Sequence, residues 1–144
     1  PRKCTAFIQA PELNKYTVHT ERLNDKPTSI LLDGNTLFQE FCGSLTENYV
    51  IQTLAQYHQT QFYWTSAGKA EIDLIFQHNS TIYPLEIKSG TTTKQKSLQT
   101  YAQKFNPDYL LRTSLLNLKL DGNLLNIPLY LVELLPQLLK NLTG

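Results

Sequence analysis

Apolar and polar positions change rhythm several times along this chain, and each change marks an element. From Glu71 to Lys88, EIDLIFQHNSTIYPLEIK, two runs alternate around the polar stretch His78-Asn79-Ser80-Thr81. β-Branched and aromatic residues dominate both runs, which predicts two strands and a tight turn. A two-residue loop at Asn79-Ser80 sets Phe76 against Tyr83, Asp73 against Glu86 and Glu71 against Lys88. Opposed residues hold their β-carbons about 5 Å apart. Glu86 and Lys88, two apart, point to the same face.

Helical spacing appears on both sides of this hairpin. Leu37, Phe41, Leu45, Val50 and Leu54 form a stripe, with Thr36-x-x-Gln39 in the form of a capping box. Ser44-x-x-Glu47 repeats that form just after Gly43, which predicts a kink or a restarted helix there. Glu47 then has two readings: a reciprocal cap or solvated charge, or a carboxylate aimed at the hairpin. Lys94 to Phe105 reads as an amphipathic helix, with Leu98, Ala102 and Phe105 on its apolar side and Lys94, Lys96, Lys104, Gln95, Gln99 and Gln103 on its polar side. Asn106-Pro107 stops it.

The remaining segments are shorter. Gln61 to Ser66 reads as a strand with Trp64 as packing, and Ala67-Gly68-Lys69 as the turn into the hairpin. Tyr109 to Thr113 reads as a buried strand. Leu118 to Ile127 reads as a hairpin around Asp121-Gly122-Asn123. Leu134, Leu135, Leu138, Leu139 and Leu142 then recur at helical spacing, with Pro136 in a first turn. Residues 1–29, interrupted by Pro1, Pro11 and Pro27, show no sustained period and read as a lead-in or linker compatible with a short strand or helix. Residues 30–144 make one domain. Strands with helices before and between them give an α/β or α+β class, a central mixed sheet flanked by helices.

Composition narrows the options little. The 144 residues are 41% hydrophobic and 17% charged, as in a globular domain, and the net charge of +1 demands no polyanionic partner. Cys4 and Cys42 form no spaced framework, which fits a reducing cytoplasm. No apolar run is long enough to cross a bilayer. The chain opens on Pro1 and contains no Met, so it reads as a segment of a longer protein or as a sequence lacking modified residues.

The hairpin is where the residues suggest chemistry. Asp73 and Glu86 repel each other unless a positive charge lies between them, and Lys88 is at hand. A hard divalent cation with oxygen ligands answers that requirement.

The arrangement Asp73…Glu86-Ile87-Lys88 resembles the metal-dependent nuclease superfamily named for its PD-(D/E)XK motif, with Ile72-Asp73 in place of Pro-Asp. A more extended resemblance runs from about Ile30 to Leu135. It is carried by LLDGNTLFQEFCGSLTENYVIQTL (31–54), YWTSAGKAEIDLIF, IYPLEIKSG, KSLQTYAQKF, LLRTSL and LNIPLYLVELL. These resemble the uncharacterised C-terminal domain, domain of unknown function 4143, carried by many bacterial and archaeal AAA-type ATPases. The resemblance implies a restriction-endonuclease-like core. It implies Asp73, Glu86 and Lys88 as catalytic residues, and Glu47, Asp73 and Glu86 as ligands of Mg²⁺ or Mn²⁺. Lys94, Lys96, Gln99 and Arg112 would then face a DNA backbone, and an ATPase module would be the partner. The same fold without activity, binding DNA or a protein, is the alternative. No Walker A motif occurs, so this chain is not itself the ATPase.

Overall fold

The computed structural model describes residues 8–9, 36–58, 60–66, 70–92 and 94–143. The stretches 1–7, 10–35 and 67–69 lie outside the described residues, and with them most of the expected lead-in and the turn before the hairpin. Ile8–Gln9 form a two-residue strand, β1. Then follow helix α1 (Thr36–Ala55), β2 (Gln61–Thr65), β3 (Glu71–His78), β4 (Thr81–Ile87), α2 (Lys96–Phe105), β5 (Leu110–Ser114), β6 (Lys119–Asp121) and β7 (Leu124–Pro128). A 3₁₀ segment, Leu129–Leu134, leads into α3 (Leu135–Thr143), where Pro136 falls in the first turn.

The strands form one sheet in the order β1-β2-β3-β4-β5-β7-β6. β4–β5 and β5–β7 are parallel and the other pairings antiparallel, so the sheet is mixed as expected. The central hairpin takes the predicted register, with Phe76 opposite Tyr83 and His78 opposite Thr81. Asn79 (φ 48) and Ser80 (φ 74) both take the left-handed conformation, the backbone of a type I′ turn. Gly122 (φ 60) supplies the same freedom between β6 and β7.

Two apolar layers cover the sheet. Leu74, Phe76, Tyr83, Leu85, Ile87, Leu111, Leu125 and Ile127 pack with Val50, Ile51 and Leu54 of α1, and with Val132, Leu135 and Leu139. Trp64, Ile72, Ile75, Leu110 and Leu124 pack with Leu98 and Tyr101 of α2 on the other side. Trp64 is core, 1% exposed.

Helix α1 corrects one expectation. It runs unbroken for 20 residues through Gly43, so no helix starts at Ser44 and Ser44-x-x-Glu47 is not a capping box. A glycine inside a helix costs only about 1 kcal/mol against alanine. Burial of Val50, Ile51 and Leu54 is large enough to carry that cost.

Candidate functional site

Two irregularities in the sheet create the site. The first is a bulge in β3. Phe62 pairs with Ile75 and Trp64 with Ile72, so Asp73 and Leu74 together face the single residue Tyr63. Ile72 and Leu74, which a regular strand would put on one face, accordingly join opposite apolar layers. Bulges re-aim a side chain, and the one re-aimed here is Asp73.

The second is the parting of β3 from β4. The recorded pairing ends at Leu74 opposite Leu85. In a continued ladder the Ile87 N–H would reach the carbonyl of Ile72. It donates instead to Asp73 Oδ2, at 2.6 Å. On its other edge β4 turns to β5, where the Lys88 N–H donates to the Thr113 carbonyl at 3.0 Å. The β3–β4 ladder thus stops short of both expected facings, Asp73 with Glu86 and Glu71 with Lys88.

Glu86 is 4% exposed. Its Oε1 lies 3.1 Å from Lys88 Nζ. Its Oε2 is buried without a hydrogen-bond partner among the described residues. A buried unpartnered carboxylate oxygen costs more than the roughly 1–3 kcal/mol of a neutral group. Burial is the main cause that raises the Asp73 carboxyl from 3.8 to about 7. The Ile87 N–H opposes that rise, Glu47 adds to it, Lys88 opposes it and Glu86 adds again. Glu47 on α1 therefore lies within electrostatic reach of Asp73.

A polar layer that sequence reasoning missed braces the next two strands. Glu86, Arg112 and Asn126 are aligned Cα partners across β4, β5 and β7, all buried. Asn126 Oδ1 accepts from Arg112 Nε at 2.9 Å and from Ser114 Oγ at 2.8 Å. Asn126 Nδ2 donates to the carbonyls of Asn117 at 2.9 Å and Leu116 at 3.3 Å. The signal was present in the sequence: Asn126 is the lone polar residue of LLNIP and Arg112 the one charge in LLRTS, and buried polar groups require partners.

The structure thus brings Asp73, Glu86 and Lys88 to the place where β3 leaves β4, with Glu47 of α1 within electrostatic reach of Asp73. Lys94, Lys96 and Gln99 lie exposed before and along α2. Arg112 is corrected: it lies inside β5, 6% exposed, tied to Asn126 rather than presented to a phosphate backbone. Among the described residues no three His, Cys, Asp or Glu side chains are already gathered closely enough to hold a metal ion. The donor chemistry nevertheless suits a hard cation: a buried Glu86 oxygen without a partner, and an Asp73 whose ionisation other acids oppose. No helix among the described residues is long and apolar enough to cross a membrane.

Fold and site together define a mixed α+β domain with a carboxylate–lysine cluster where its central strands part. The family model for the domain of unknown function DUF4143 matches residues 42–131, more than half of the chain, and the chain belongs to that family. The crystal structure of protein VC1899 from Vibrio cholerae is similar to it at 15% identity and a TM-score of 0.38, covering 90% of this chain and 49% of that one. The chain thus spans about half the length of that protein. No curated protein matches it.

Proposed function

We propose that this domain hydrolyses phosphodiester bonds in DNA with the help of Mg²⁺ or Mn²⁺, as a nuclease-like module of the PD-(D/E)XK kind on a cytoplasmic AAA-type ATPase. The observation that carries the reading is the meeting of Asp73, Glu86 and Lys88 where β3 leaves β4. A purely structural role leaves a buried acid oxygen unanswered and an acid held near neutrality.

Asp73 and Glu86 would hold the ion, with Glu47 brought in from α1. A divalent cation, when bound, activates water and neutralises charge on the phosphoryl oxygens. Lys88 stays partly exposed beside Glu86. Its ammonium is suited to orient the attacking water and to stabilise charge as the pentavalent transition state forms. Lys94, Lys96 and Gln99 would contact the flanking backbone without reading bases.

The test is cleavage of linear, branched and single-stranded DNA by the wild-type domain with Mg²⁺ or Mn²⁺, against Lys88→Ala. Cleavage should require the metal and fall about 10²–10³-fold in the variant. Equal cleavage by the variant removes Lys88 from the mechanism. Duplex binding without cleavage of any substrate favours a silent binding module, a reading supported by the absence of a ready-made three-ligand group among the described residues.

A further inference from the structure

A second cluster of ligating side chains lies at the opposite end of the hairpin from the acids. His58 follows α1, its backbone N–H donating to the Leu54 carbonyl at 2.8 Å. His78 closes β3, opposite Thr81. Their ring centroids are 5.3 Å apart with planes at 83°. His58 is 8% exposed and stacks on Phe76 at 4.6 Å. Nε2 of both rings is buried with no hydrogen-bond partner among the described residues. We propose that His58 and His78 bind a borderline transition-metal cation of the Zn²⁺ class through these two nitrogens.

Three observations support the assignment. The first is the nitrogen presented. Nε2 is the buried, unpartnered nitrogen of both rings among the described residues, free to ligate where the ring proton sits on Nδ1. A neutral ring so held carries its lone pair on Nε2, the arrangement in which one ring N–H fixes a ligand's tautomer. The second is spacing. With Zn–N bonds of about 2.0–2.1 Å and tetrahedral angles, two imidazoles on one ion hold their centroids about 5 Å apart. The third is charge: the site lies just beyond the C-terminus of α1, the end of a 20-residue helix that favours cations. Solvent would complete the coordination, since no third His, Cys, Asp or Glu joins the pair among the described residues. A bound ion would clamp α1, which carries Glu47, to β3, which carries Asp73.

The site is independent of the acid cluster and is tested apart from it. Zn²⁺ is titrated calorimetrically into Asp73→Asn protein, with His58→Gln and His78→Gln added singly and folding checked by circular dichroism. One equivalent should bind, weakened at least about tenfold by either histidine substitution. Excess Mg²⁺ should not displace it. His78 ends a strand and is less buried than His58, so His78→Gln remains informative where His58→Gln disturbs the fold. Failure of the folded parent protein to bind Zn²⁺, or unchanged binding in His78→Gln, overturns the proposal.

Discussion

Asp73→Asn stabilises the metal-free domain at pH 8 by about 2–4 kcal/mol and, on the function proposed above, removes metal-dependent cleavage. The Asp73 carboxyl ionises near 7 in the folded chain against an ordinary value of 3.8. Between those values the folded chain holds a proton that the unfolded chain has lost, so stability falls as pH rises. The contribution is full below about pH 4 and gone above about pH 7. A difference of this size corresponds to roughly 4 kcal/mol at most, less where water penetrates. Asparagine carries no charge and keeps an oxygen for the Ile87 N–H. Urea unfolding of both proteins at pH 5 and pH 8 checks this. The gain should be large at pH 8 and small at pH 5, and comparison at each pH cancels the opposite titration of His58. A variant less stable than wild type at pH 8 would show that the carboxylate is satisfied in the fold.

Asn126→Ala costs about 3–5 kcal/mol. Its amide answers Arg112 Nε, Ser114 Oγ and two carbonyls of the loop after β5. Truncation removes this partner from the buried Arg112 Nε and Ser114 hydroxyl and from two part-buried carbonyls, and each buried group left without one costs about 1–3 kcal/mol where water cannot enter. Partial hydration through the loop keeps the total below their sum. Asn126→Leu, which fills the space without partners, should be equally damaging. That separates hydrogen bonding from cavity formation. Chemical denaturation of the three proteins measures it. A loss under 1 kcal/mol in Asn126→Leu would mean that the layer is hydrated or dispensable.

The two predictions fall on parts of the molecule that were not equally legible in the sequence. The hairpin register was readable because a two-residue turn and a period of two leave no alternative pairing that buries the apolar face. Carried further, the same logic expects Asp73 opposite Glu86, but the ladder ends at Leu74 and Leu85, and Asp73 is only within electrostatic reach of Glu86. That logic did not show the bulge at Asp73-Leu74, because an extra residue in a strand changes no composition, only the match to a neighbouring strand. Ser44-x-x-Glu47 imitated a helix start, but the buried side of α1 outweighs one glycine. The buried strand at Tyr109 to Thr113 is legible in its apolar run, whereas a DNA contact for Arg112 follows only from the resemblance and conflicts with that burial. With β4 on one side and β7 on the other, β5 is central and its arginine is enclosed.

The account rests on a divalent cation binding between Asp73 and Glu86. Calorimetric titration of Mn²⁺ into the wild-type domain, Asp73→Asn and Glu86→Gln tests it most directly. The account predicts binding to wild type that both substitutions abolish with the fold intact. Absence of binding to folded wild type at millimolar Mn²⁺, or binding that survives both substitutions, would contradict it.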